Sequence, residues 1–262
     1  MQTAGEEGGR RGRIGTVHAV DNELVGTVRE VLASVADPGK AATMQAYMKS
    51  AMPYLGVPVP LVRTSLARIL SAHRLPDEET WRATVLELWE GARFREERYA
   101  ALALARHRFY REHQQVYTLD LYEHLIRTGA WWDLVDEVAT HLVRDLLLTH
   151  REEVSPVIRA WATADDLWVR RSAVICQVGA GDRCDQDLLA QVIEDNLDAS
   201  TRVTPALSPY GREFFIRKGI GWALRDHART DPAWVLGFVA SHDDALSGLS
   251  KREALKHVGA QP

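Results

Sequence analysis

Cysteine is almost missing from this chain: Cys176 and Cys184 are the only two in 262 residues. Two thiols eight apart, without histidine at ligand spacing, make no zinc site, and they supply no disulfide framework. A reducing cytosol is the expected compartment. No apolar run reaches about 18 residues, so no transmembrane helix is expected. The first 15 residues carry arginines but no apolar segment behind them, so a signal peptide is not expected either. Their Gly, Glu and Arg content reads as a flexible tail, placed at 1–18, ahead of one domain at 19–262. An excess of positive charge is absent: 32 Lys and Arg stand against 36 Asp and Glu, a formal net charge of −4. That excludes a basic coat over the whole surface but leaves room for a local basic groove. Alternating strand patterns bounded by turn pairs are also nearly absent.

What is present is helical. Apolar residues make up 46% and charged residues 26%, an ordinary globular balance that excludes disorder as the dominant state. Apolar spacing predicts helices over 20–35, 39–51, 60–72, 77–91, 94–110, 118–128, 131–148, 155–162, 165–178, 185–195, 211–228, 231–240 and 250–258. Asp77, Glu78 and Glu79 suit a helix N-terminus. Ser155-Pro156 and Asp231-Pro232 each read as an N-cap followed by proline at the first helical position. Residues 197–211 form the one long non-helical insert, read as a surface loop. Helices of this length with short links suggest stacked antiparallel pairs, yet no strict repeat of 33 to 45 residues is visible. Periodicity leaves a degenerate helical-repeat solenoid and a compact irregular bundle equally open.

Three segments carry groups suited to chemistry. In 128–138, Trp132 and Asp136 are four apart and share a helix face; taken alone, they read as a core indole and a surface carboxylate. In 165–177, Trp168 and Arg171 are three apart while Arg170 points elsewhere; Trp168 reads as buried. In 211–230, Phe214, Phe215, Ile216, Ile220 and Leu224 form an apolar stripe beside Arg217, Lys218, Arg225 and Arg229, with Trp222 three residues before Arg225. The stretch from 201 to 262 holds nine Lys or Arg against six Asp or Glu, a surplus that fits a phosphate-facing surface without requiring one. Each segment places an indole one helical turn from an ionic group. Indole faces hold cations and stack on bases, arginine grips phosphate, and a carboxylate stabilises developing positive charge.

The ordered set of these pieces resembles the DNA alkylation repair family, the AlkD-like group of HEAT-repeat DNA glycosylases. The matching text begins at Tyr47-Met48-Lys49, continues through Tyr54-Leu55-Gly56-Val57-Pro58, Leu88-Trp89, Arg98-Tyr99 and Ala101-Leu102, and reaches Trp131-Trp132-Asp133 with Val135-Asp136. Trp168-Val169-Arg170-Arg171, Phe214-Phe215-Ile216-Arg217-Lys218 and Gly221-Trp222-Ala223-Leu224-Arg225 follow. Leu249-Ser250 and Arg252-Glu253-Ala254-Leu255 close it, so the likeness runs from about 40 to 258.

The resemblance implies an all-α fold, a superhelical stack of antiparallel HEAT-like helical pairs with a concave DNA-binding face. It implies a monomeric, monofunctional glycosylase that hydrolyses the N-glycosidic bond of N3- and N7-alkylated purines in duplex DNA and leaves an abasic site; the low cysteine content separately points to a cytoplasmic location. No metal and no organic cofactor are implied, and the partner is alkylated duplex DNA rather than a membrane. By the same resemblance Asp136 is the catalytic aspartate, Trp132 and Trp222 its aromatic neighbours and Arg171 the active-site arginine. Tyr47, Lys49, Arg170, Arg217, Lys218 and Arg225 are the expected DNA contacts. Two features depart from the pattern: the 197–211 insert and the N-terminal tail, whose Arg10, Arg11 and Arg13 have no counterpart. The competing functions are a non-catalytic HEAT-like binder of bent, branched or damaged DNA and a protein-interaction scaffold.

Overall fold

The structure, a computed structural model, describes residues 19–197 and 212–258. The N-terminal tail and, apart from Leu197, the 197–211 insert lie outside the described residues. Among those described, fourteen α-helices and no strands are found. Aspartate opens many of them. The Asp21 carboxylate accepts from Leu24 N at 2.8 Å at the start of α1 (Asn22–Ser34), and Asp37 caps α2 (Pro38–Met48). After α3 (Val59–Ala72), Asp77 accepts from Thr80 N at 2.7 Å and starts α4 (Glu78–Glu90). Each such oxygen satisfies an amide that the helix itself leaves without a partner.

Helix α5 (Arg95–Ala105) is shorter than the pattern predicts. The reading of one helix over 94–110 is corrected: His107 is extended, and a separate 3-10 segment runs from Arg108 to His113. Gln114 Nε2 donates to Ala105 O at 3.0 Å and closes the end of α5. Next come α6 (Leu119–Gly129) and α7 (Trp132–Glu137). A π-helical stretch, Val138–Val143, joins α7 to α8 (Arg144–Thr149). Helix α9 (Arg151–Ala162) brings a second correction. Ser155-Pro156 is not its cap, because the helix starts at Arg151 and holds Pro156 inside. The buried Ser155 hydroxyl has no hydrogen-bond partner among the described residues, and Pro156 offers no amide to the Glu152 carbonyl. The remaining helices are α10 (Leu167–Ile175), α11 (Gln186–Glu194), α12 (Phe214–His227), α13 (Pro232–Ser241) and α14 (Gly248–Ala254). Asp231 caps α13 through Trp234 N at 2.9 Å, with Pro232 at its first position.

The helices stack in pairs. α4 packs on α5, α6 on α7, and α9 on α10, each pair joined by a short turn. One member of each pair forms an inner row in which α3, α5, α7, α10 and α12 follow one another as neighbours. The core runs along the stack as two adjoining apolar clusters, and α10 contributes to both: Val169 and Ala173 to one, Val174 and Ile175 to the other. This is a HEAT-like stacking of helical pairs.

The far end depends on one glycine. A Cβ on Gly221 of α12 would stand 2.5 Å from Glu253 Cβ and 3.0 Å from Ser250 O, so α14 lies flush on α12 only because Gly221 lacks one. Gly221→Ala is expected to cost about 1–3 kcal/mol through overpacking. A lower thermal midpoint, by roughly 2–4 °C per kcal/mol, checks it; an unchanged midpoint would mean that α14 shifts freely.

Candidate active site

The inner row converges on α7. This helix begins where Ala130, at φ +39°, reverses the chain after α6. Within two turns it presents Asp133, Asp136 and Glu137. Asp133 is nearly saturated: Arg95 of α5 binds it through Nη2 at 2.5 Å and Nε at 3.1 Å, and the Tyr99 hydroxyl donates to it at 2.6 Å. Burial first, and then Asp133, hold the Tyr99 phenol well above its ordinary range. Glu137 is shared by Arg63 of α3, at 2.8 Å, and Arg106.

Asp136 differs. Its partner is Arg171 of α10, in a two-pronged pair: Nε to Oδ1 at 2.7 Å and Nη2 to Oδ2 at 2.8 Å. A carboxylate has about four acceptor positions, so this pair leaves half of them for another group. The Asp136 side chain keeps 17% of its exposure, whereas that of Arg171 keeps 4%. Burial pushes the Asp136 carboxyl above the ordinary carboxylate range. The hydrogen bonds and charge of Arg171 pull it back without cancelling the effect, and the nearby Asp133 adds to the rise. Thr140, in the π-helical stretch, donates to Asp136 O at 2.7 Å; such stretches are frequent beside functional groups.

Arg171 also fixes α12, donating Nη1 to Phe215 O. One turn further along α12, a Cβ on Gly219 would come within 3.2 Å of that same Nη1. Trp222 follows on this face, partly exposed and packed on the second core cluster. Trp132 is partly exposed at the start of α7, against the first cluster. Trp168 is buried, as its sequence context predicts, in a cluster with Trp131 and Phe215 whose ring centres lie 4.9–5.8 Å apart.

The structure therefore brings Asp136 and Arg171 into contact, with α7 and α12 supplying the indoles. It gives some of the expected DNA contacts other work. Arg170 is buried, and its guanidinium donates to Ala162 O, Thr163 O, Ala164 O and Asn196 Oδ1, closing the end of α9. It leaves the candidate DNA surface for that reason. Arg171 is likewise committed, to Asp136 and to Phe215 O. Arg217 is partly buried, and its Nε has no acceptor among the described residues. Tyr47 is 76% exposed on α2, and Lys49 is exposed at φ +50° just after it.

Lys218 and Arg225 meet a residue to which the sequence assigns no role. Glu253 of α14 takes Lys218 Nζ at 2.7 Å on one oxygen and Arg225 on the other. The Lys218 hydrogen bond, with the charges of Lys218 and Arg225, holds the Glu253 carboxyl below its ordinary range despite burial. One carboxylate thus engages both cations. Glu253→Gln is expected to raise affinity for undamaged duplex DNA a few-fold at low salt, with the gain shrinking as salt rises. Fluorescence anisotropy at two salt concentrations checks this, and weaker binding by the variant would refute it. Among the described residues, no group of three or more His, Cys, Asp or Glu is arranged to hold a metal ion. Among the described residues, no helix is long and apolar enough to cross a membrane.

A stack of helical pairs with a half-open carboxylate gripped by a buried arginine defines an all-helical repeat protein with a candidate site on α7. Residues 28–258 match the family described as DNA alkylation repair enzyme. A predicted DNA alkylation repair enzyme from Enterococcus faecalis has a similar solved structure: 30% sequence identity and a TM-score of 0.67, covering 86% of this chain and 98% of that one. Comparison with curated proteins gave no match. The chain belongs to the DNA alkylation repair enzyme family, and its role lies in the repair of alkylated DNA.

Proposed function

We propose that the chain is a monofunctional DNA glycosylase that hydrolyses the N-glycosidic bond of cationic N3- and N7-alkylated purines in duplex DNA. The observation that carries this reading is Asp136: a carboxylate with free acceptor positions, held by Arg171 at 2.7 and 2.8 Å, in a chain of this family. An alkylated purine of this kind already bears a positive charge. When the bond breaks, its electron pair leaves with the purine, which departs neutral, so no general acid is needed. The sugar is left with oxocarbenium character. Ionised Asp136 stabilises that charge and orients the water that attacks the anomeric carbon, and the proton that water loses passes to the carboxylate and on to solvent. Arg171 opposes the desolvation that would otherwise keep Asp136 protonated. Trp132 and Trp222 offer electron-rich faces to the sugar and the cationic base. Tyr47, Lys49, Arg217, Lys218 and Arg225 serve the backbone, the last two after exchanging Glu253 for phosphate. The protein acts as a monomer on duplex DNA in the cytoplasm.

The test is incubation with duplex DNA carrying a single N7-methylguanine, with free base and abasic sites quantified. Release of the base, leaving an abasic site and an uncut strand, is expected. Binding without release from either N7- or N3-alkylated substrates would overturn the glycosylase reading in favour of a DNA binder.

A further inference from the structure

Asp133 of α7 is a buried carboxylate with an arginine of its own, and the proposed reaction gives it no task. It stands three residues before Asp136, so the two side chains are neighbours on one helix face, about 5–6 Å apart at Cβ. Each answers to a guanidinium on a different helix. Arg95 of α5 holds Asp133 at 2.5 and 3.1 Å, and Arg171 of α10 holds Asp136 at 2.7 and 2.8 Å. Both arginines use Nε and Nη2. The two pairs differ in what they leave open. Asp133 also accepts from the Tyr99 hydroxyl at 2.6 Å, which leaves little of it for water or a sugar. Its side chain keeps 8% of its exposure against 17% for Asp136.

The frame around Asp133 is built from α5 and the turn after α2. Tyr99 meets the Tyr54 hydroxyl at 3.2 Å, and Arg95 N donates to Pro53 O at 2.9 Å. Asp136 is framed instead by α10, which Arg171 ties to α12 through Phe215 O. Other charges around α7 are engaged elsewhere. Arg63 of α3 and Arg106 pair with Glu137, which His141 approaches at 3.9 Å, and Arg127 of α6 pairs with Glu123 and Asp166. Arg98 of α5 donates to Thr128 O and lies over the Trp89 ring. A fixed negative charge one turn away opposes a second one on Asp136, and a cation that covers the first weakens that opposition. Asp133 does add to the rise of the Asp136 carboxyl. Burial of both groups leaves little water between them to screen the effect.

We infer that Asp133 and Arg95 are positioning residues for Asp136: they form a second carboxylate–guanidinium pair one helical turn before the first, and the balance between the two pairs sets the charge that Asp136 carries when the glycosidic bond breaks. The catalytic meaning of this inference rests on the proposed function, whereas the coupling itself can be read on the free protein. Asp133 works against ionisation of Asp136, and Arg95 works for it by covering Asp133. Neither touches the reacting atoms; both act through Asp136.

The experiment compares wild type with Asp133→Asn, Arg95→Gln and Arg95→Lys. Single-turnover base release from N7-methylguanine duplex is followed from acid to mildly alkaline pH, with uncatalysed release subtracted. Protonation of Asp136 is followed in the free proteins by carboxyl carbon NMR, its signal assigned by its loss in Asp136→Asn. Asp133→Asn is expected to displace the midpoint of both curves downward and Arg95→Gln upward, each by roughly 0.5–1 pH unit. Arg95→Lys keeps the charge and should return the midpoint towards that of wild type. A purely structural pair behaves otherwise, because both neutral variants break the same bonds. Both would then lose rate with the midpoint unmoved or moved the same way, and that result overturns the inference. Where one neutral variant is unfolded by circular dichroism, the sign of the other, with Arg95→Lys beside it, decides. Wild type that releases no base overturns the glycosylase reading, and the NMR curves still judge the coupling: opposite displacements sustain it, and equal or absent ones overturn it.

Discussion

Asp136→Asn is expected to abolish base release while leaving duplex affinity within a few-fold of wild type. The substitution keeps the side-chain shape and one acceptor oxygen for Arg171, so the fold should survive. It removes the negative charge that, in the proposed mechanism, faces the sugar as the bond breaks. Losing one preorganised electrostatic partner of a transition state costs about 10²–10³-fold in rate, and here the same group also orients the water. Single-turnover release from N7-methylguanine duplex measures the loss, and circular dichroism with thermal unfolding shows that the variant is folded. Activity within tenfold of wild type would refute the role of Asp136. Asp133 and Glu137 are not substitutes, because Arg95 and Tyr99 occupy the first and Arg63 and Arg106 the second.

How much of this was legible differs from residue to residue. The spacing of Trp132 and Asp136 fixed a shared helix face, and the apolar periodicity placed α7 to α8 as one helical run. The π-helical stretch inside it has no propensity signal of its own. Asp77 and Asp231 act as the caps their sequence promised, because cap chemistry is local. Ser155-Pro156 carried the same local signal and lost it to the continuation of α9 from Arg151. The adjacent arginines show the limit most clearly. Arg170 and Arg171 are about 100° apart on a helix, but only the packed neighbours decide that one meets carbonyls of α9 and the other meets Asp136. Glu253 was invisible for a related reason. It lies 28 residues beyond Arg225 in sequence, and only the close approach of α14 at Gly221 brings it over the two cations.

Arg171→Ala is expected to act on stability, on rate and on the pH dependence of the rate together. Arg171 is buried and pairs with a carboxylate that burial already pushes up. Removing one partner of a buried pair costs roughly 3–5 kcal/mol, which urea unfolding would show. The sign of the pH effect follows from the direction of the shift. In wild type, burial raises the Asp136 carboxyl and Arg171 lowers it; without Arg171 only the upward influences of burial and Asp133 remain. The native state then holds the proton more tightly than the unfolded chain does. The destabilisation is therefore largest above the raised native value and shrinks as pH falls through it. Catalysis runs the other way, because it needs the ionised form. The release rate of the variant should be lowest at acid pH and recover as pH rises, with its midpoint displaced upward from wild type. Arg171→Lys keeps a charge but not the two parallel bonds, so a smaller upward displacement is expected. A variant that loses rate with the wild-type pH profile would show that Arg171 does not govern the ionisation of Asp136. In that case its bond to Phe215 O, rather than its pair with Asp136, would be what the site requires.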